Sequence, residues 1–176
     1  MKTLVIVIHP DIDNSLINKR WMTVLQQHPD NYVIHQLYKS YPDEKINVDF
    51  EQRLIEQYNK IVFQFPYYWF NSPPLFKKWL DEVLTYGWAY GSKSGHKVSG
   101  KKVALAISAG IDEDEYRKHA RYKYTVEDLT RPFQLTFEYV KAEYQQPFVY
   151  YGIELNQSHE WIEKSVPPYL KFLESL

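Results

Sequence analysis

The chain has 176 residues, a formal net charge of −1 and no cysteine. That length predicts a single domain over residues 1–176, long enough to bury a core without staples. The missing cysteines exclude disulfides, thiolate metal ligands and Cys nucleophiles, and the near-zero charge gives no electrostatic case for a nucleic-acid surface.

Leu4 to Ile8 is a continuous apolar, β-branched run, the pattern of a strand covered on both faces. It is too short for the apolar core of a secretion signal, roughly 7–15 residues. No run of about 18 apolar residues follows anywhere, so no membrane insertion and a cytoplasmic location are expected. After the loop "HPDIDNS", "LINKRWMTVLQQH" carries Leu16, Ile17, Trp21, Met22, Val24 and Leu25 at helical spacing. "NYVIHQLY" predicts a second, more exposed strand and "VDFEQRLIEQY" a short helix. "KIVFQFP" predicts a third strand, again almost wholly apolar. In "YYWFNSPPLFKKWLDEVL", Asn71 or Ser72 is placed to cap a helix whose first residue is Pro73. "YGWAYGSKSGHKVSGK" is a Gly/Ser/Lys loop, "KVALAISAG" a fourth strand and "IDEDEYRKHARYKY" irregular. Val126, Leu129, Phe133, Phe137 and Val140 mark a helix, and "QPFVYYGI" a fifth strand. The last segment predicts helix with a break at Pro167-Pro168.

Strands alternating with helices predict an α/β three-layer sandwich around a parallel five-stranded sheet of order 2-1-3-4-5. In such a sheet a ligand sits beyond the carboxyl ends of the strands, where the winding reverses. Three loops converge there. The first enters a helix at Ser15 to Asn18, and a helix start presents free N–H groups that suit a phosphate. Ser15 and Asn18 add side-chain donors, and His9 closes the far side. The alternative is that Ser15 is only a helix cap and His9 a satisfied strand-end residue. The second loop carries Pro66, Tyr67, Tyr68, Trp69 and Phe70, a flat wall for a planar ligand or, alternatively, packing for neighbouring loops or a dimer interface. The third follows Ser108. There is no G-x-G-x-x-G or Walker pattern, and the six histidines show no ligand-spaced pair, so no metal site is expected. Aromatic residues make up 17%, with sixteen Tyr and five Trp. That excess around Tyr86 to Tyr90 and Phe133 to Tyr144 predicts a homodimer.

"HP" at 9–10 with "SLIN" at 15–18, "FPYYWFNSPPLFKKWLDEVL", "GWAYG" at 87–91 and Ser108-Ala109-Gly110 with Tyr116 carry a resemblance. The chain resembles the flavodoxin-like NAD(P)H:quinone oxidoreductases, on the bacterial branch with general stress flavoproteins and the ancillary flavoprotein of glutathione-gated potassium efflux. The resemblance implies FMN, with FAD as the alternative. His9, Ser15, Leu16, Ile17 and Asn18 would hold its phosphate. Pro66, Tyr67, Tyr68 and Trp69 would line the isoalloxazine, and Ser108, Ala109, Gly110 and Ile111 would run along its other edge. Tyr116 would be the catalytic donor, with His119 only a neighbour. The implied reaction is two-electron, ping-pong transfer from NADH or NADPH to a quinone-like acceptor. The implied alternative is a regulatory subunit in peripheral contact with a potassium-efflux transporter. A one-electron flavodoxin is disfavoured, because the chain is not strongly acidic and lacks a Ser/Thr-Gly-rich phosphate loop. One departure stands out: Ser-Ala-Gly-Ile replaces the family's Thr-Thr-Gly-Gly, and Ile111 is expected to impose other dihedrals than glycine and so to alter flavin affinity or access.

Overall fold

The computed structural model describes residues 2–93 and 95–176; Met1, and Ser94 of the Gly/Ser/Lys loop, lie outside the described residues. The three most apolar strands form the centre of the sheet: β1 (Thr3–Val7), β3 (Lys60–Pro66) and β4 (Lys102–Ser108). With β2 (Tyr32–Gln36) and β5 (Glu143–Tyr144) they make a parallel sheet of order β2-β1-β3-β4-β5. This is the flavodoxin-like order expected from the alternation of elements. The residues Leu37 and Tyr38, assigned above to the second strand, instead open α2 (Leu37–Ser40).

The fifth lane departs from expectation. It is not one strand over 146–153 but two short pieces, both beside β4. The segment β5 pairs with Lys102 and Val103, and β6 (Phe148–Tyr150) pairs with Ala106 to Ser108. Pro147 lies between them. It has no N–H to give to a ladder, so pairing stops and restarts around it.

Alternate residues of the strands feed two cores. Leu4, Ile6, Phe63, Phe65, Leu105 and Ile107 face α3 (Val48–Glu56), α4 (Pro74–Val83) and α5 (Val126–Tyr139). Val5, Val7, Val62, Ala104 and Ala106 face α1 (Ile17–Gln26) and α7 (Val166–Ser175). Phe63 stacks on Phe76 at 4.6 Å and on Phe137 at 5.3 Å, and Phe76 stacks on Phe133 at 5.3 Å. Phe133 and Phe137 are therefore core residues, contributing roughly 1.5–3 kcal/mol each, and not the interface aromatics the composition suggested.

Helix ends also shift. Pro73, not Asn71 or Ser72, is the capping residue of α4, without a side-chain cap, and Pro74 is the first helical residue. The N–H of Leu75 donates to the Tyr38 hydroxyl at 3.3 Å instead. The C-terminal break falls at Ser165, between α6 (His159–Lys164) and α7, rather than at the prolines. Pro167 and Pro168 lie in the first turn of α7, where a missing N–H costs nothing. No helix among the described residues is long and apolar enough to cross a membrane.

Candidate functional site

The start of α1, the carboxyl halves of β3 and β4, and α7 are joined by one buried polar chain. The Tyr169 hydroxyl donates to Gln64 Oε1 at 2.8 Å. Gln64 Nε2 donates to the Asn18 carbonyl and to Asn18 Oδ1 at 3.0 and 3.2 Å. Asn18 Nδ2 then donates to Ser108 Oγ at 2.8 Å. Each member is satisfied, so the network fixes the three loops relative to one another instead of loosening the core. Asn18 was expected as a phosphate donor. It is buried, and one of its two amide hydrogens already goes to Ser108.

On that base lies a hollow bordered by His9, Ser15, Leu16, Ile17, Asn18, Pro66, Tyr68 and Ser108, with Asp11, Asn14 and Ile153. Ser15 Oγ accepts the Asn18 N–H at 3.2 Å and so caps α1, while its own O–H remains a donor. The first-turn N–H groups of α1 have no intrahelical acceptor. His9 Nδ1 accepts the Asp11 N–H at 3.1 Å, which leaves Nε2 as the proton-bearing nitrogen of the neutral ring. Burial lowers the His9 pKa, against a smaller opposing pull from Asp11, and so favours that neutral form.

A second hollow of about 670 Å³ adjoins the first through Tyr68 and is lined by Tyr67, Trp69, Phe70, Gly110, Ile111, Tyr116, Arg121, Tyr122 and Glu154. The loop after β3 closes on itself: Tyr68 and Asn71 exchange both backbone hydrogen bonds at 2.9 Å. The two residues between them are Trp69 (φ 50°) and Phe70 (φ 61°). Two left-handed residues in a two-residue loop make a type I′ turn, a place that favours Asn-Gly. Bulky rings there are strained. Trp69 is 93% exposed, so its own packing cannot be the compensation.

Tyr116 is buried at the floor of this hollow, its ring 6.3 Å from Tyr67, 4.9 Å from Tyr122 and 5.7 Å from Tyr151. Burial, with smaller contributions from Tyr122 and Glu154, pushes its hydroxyl up to about 12. Burial likewise raises Tyr67, whose Oη is hidden from solvent and has no hydrogen-bond partner. Buried polar atoms are rarely left so, and a polar ligand edge would supply the missing partner.

The third loop is roofed by residues 152–154. The Ile153 N–H donates to the Ala109 carbonyl and the Glu154 N–H to the Gly110 carbonyl. The Glu154 side chain lies over Gly110, where a Cβ would collide with it. Ile111 is not at positive φ and packs against the main core, so the residue that replaces the family's second glycine sits in a backbone conformation open to any side chain.

The two hollows thus bring together twelve of the thirteen expected cofactor residues and Tyr116. Ala109 is the exception: it is fully buried, and its N–H donates to the Tyr150 carbonyl in the sheet edge. His119 does not line either hollow. Arg121, Tyr122, Glu154 and Ile153 were not expected. Tyr122 and Arg121 follow a polar run with no periodicity, and Glu154 arrives from the far end of the sheet.

Known proteins match this chain over nearly its whole length. The family described as having a flavodoxin-like fold matches residues 1–172. The Bacillus subtilis protein named uncharacterized NAD(P)H oxidoreductase YrkL is 45% identical over 99% of both chains. The glutathione-regulated potassium-efflux system ancillary protein KefG of Yersinia enterocolitica is 34% identical, over 99% of this chain and 93% of its own. The crystal structure of general stress protein 14 from Treponema denticola, in complex with FMN, superposes with a TM-score of 0.93 at 44% identity, covering 99% of each chain.

Proposed function

We propose, because this chain belongs to the family with a flavodoxin-like fold, that it is a flavin-dependent NAD(P)H oxidoreductase acting on quinone-like acceptors. The observation that carries the reading is the pair of joined hollows: a helix start at one end, a ring-lined slot at the other. A flavin mononucleotide has that shape, and the orphaned Tyr67 hydroxyl fits a bound polar ring edge. The FMN in the Treponema denticola relative supports the choice of FMN over FAD. When bound, the flavin supplies two-electron hydride chemistry.

The protein's own residues supply the rest. Ser15, His9 and the first-turn N–H groups of α1 receive the phosphate. Tyr68 and Trp69 wall the slot. The Tyr116 hydroxyl stays protonated at working pH and donates a hydrogen bond where negative charge grows. The slot admits one planar molecule at a time, so donor and acceptor alternate and the kinetics are ping-pong.

A second reading rests on the likeness to KefG: the protein docks on a potassium-efflux system as an ancillary subunit. Steady-state turnover of the flavin-loaded protein with NADH or NADPH and a small quinone separates the two. Parallel double-reciprocal plots support the oxidoreductase reading. Failure to consume either nucleotide overturns it and leaves the ancillary role.

A further inference from the structure

Residues 117–123 read Arg-Lys-His-Ala-Arg-Tyr-Lys, four permanent cations in a chain whose net charge is −1. Arg117 is neutralised by Asp114 at 2.5 Å. Among the described residues, no carboxylate stands within ion-pair distance of Lys118, Arg121 or Lys123. Arg121 is the cation among the residues that line the ring slot, and Glu154, turned over Gly110, is the acid.

The exposed guanidinium of Arg121 rests on the ring of the next residue. It lies 5.4 Å from the centre of the Tyr122 ring. Tyr122 is itself fixed by Tyr116 at 4.9 Å, Phe70 at 5.0 Å and a backbone bond from its N–H to the Glu115 carbonyl at 3.1 Å. A face contact with an aromatic ring orients the charge and leaves the five N–H donors at its edge free. A pre-oriented planar fork suits two oxygens of one phosphate group.

We infer that Arg121 binds the pyrophosphate of the reduced nicotinamide dinucleotide; the inference rests on the oxidoreductase reading. The nicotinamide ring has to enter between Tyr68, Trp69 and Gly110. Its tail must leave through the mouth of the same hollow, where Arg121 stands. The pyrophosphate is the first charge along that tail, and it is common to NADH and NADPH. Arg121 thus sets affinity for the dinucleotide, not a preference between the two.

The test compares Arg121→Gln with the wild type, both loaded with flavin, on NADH, NADPH and 1-benzyl-1,4-dihydronicotinamide, which has the same reacting ring without phosphate. The expected result is a fall in kcat/KM of roughly tenfold to hundredfold for both dinucleotides and none for the benzyl compound. Binding of ADP-ribose, which carries the pyrophosphate without the nicotinamide, should weaken by a similar factor in calorimetry. Equal loss on the benzyl compound would make Arg121 structural and overturn the assignment. Loss confined to NADPH would move the contact to the 2′-phosphate and overturn it as well, and unchanged kinetics would remove Arg121 altogether. A wild type that oxidises none of the three sinks the oxidoreductase reading and, with it, this one. A wild type active on all three with an unaffected variant sinks only Arg121.

Discussion

Burial holds the Tyr116 hydroxyl near 12, so at neutral pH it is a donor and never a base. Tyr116→Phe removes that donor and little packing. It should leave flavin bound while slowing NAD(P)H oxidation, by roughly 10²–10³-fold at most, in a stopped-flow half-reaction without acceptor; an unchanged rate would remove Tyr116 from the chemistry. Ser15 offers the converse experiment. Aspartate caps a helix as well as serine does, so Ser15→Asp should keep α1 while repelling a phosphate. Purified protein should then show normal circular dichroism and little flavin absorbance; full occupancy would displace the phosphate from this end. Ser15 was singled out because it precedes a helical run of clear pattern, whereas Tyr116, inside an irregular loop, was singled out only by the family resemblance. Asn18 was legible as a site residue, but its engagement with Gln64 and Ser108 was not: side chains far apart in the chain meet only after the sheet forms. Arg121 and Tyr122 were not legible either, since an irregular polar loop has no period to say which of its residues turn inward.

Among the elements, β1, β3 and β4 could be read directly because both their faces are buried and the apolar run is unbroken. The fifth lane could not, because Pro147 interrupts it and β5 is only two residues long. The loop after β3 carries its rings on a turn that does not favour them. Trp69 and Phe70 occupy positions that favour Asn and Gly, at a strain on the order of 1–3 kcal/mol each. Trp69→Asn with Phe70→Gly should therefore raise stability in urea by ~1 kcal/mol or more, since Trp69 packs little, while weakening flavin retention and turnover. Loss of stability instead would mean that the Phe70–Tyr122 contact outweighs the strain. A second element-scale device joins β2, α3 and α4. The buried Glu51 carboxylate accepts from His35 and Tyr41 at 2.7 Å and from Trp79 at 2.8 Å. Burial alone would raise its pKa, but these bonds together leave it lowered. A depressed carboxylate pKa adds stability above the ordinary value of 4.5, and that stability is lost as pH falls through the lowered folded value. Glu51→Gln should cost about 3 kcal/mol at pH 7 and flatten the acid branch of the stability curve. A variant as acid-sensitive as the wild type would assign that branch to other groups.

At the scale of the whole molecule the surplus of rings divides into two parts. Phe133 and Phe137 are consumed by the core. Tyr86 (66% exposed), Leu135 (60%) and Tyr139 (69%) are not, and Tyr90 lies between two of them, 5.8 Å from Tyr86 and 5.6 Å from Tyr139. Tyr90 and Tyr139 line an open groove between α4 and α5 with Leu80, Leu84 and Val140, beside Lys77 and Asp81. Exposed rings of that kind beside a partly apolar groove mark a surface suited to a partner. We expect a second copy of the chain to cover it about a two-fold axis, each copy offering the same face to the other. Asn71, at the end of the strained turn, belongs to the same groove, so pairing would press on the loop that walls the ring slot. Light scattering should give twice the monomer mass at concentrations where turnover persists. Tyr139→Glu places a charge in the middle of the face and should yield monomers; because Tyr139 is exposed in the single chain, it should do so without unfolding them. A pairing that also supports the slot predicts that these monomers retain flavin less well. A wild type that is monomeric and fully active would show that one chain completes the site alone.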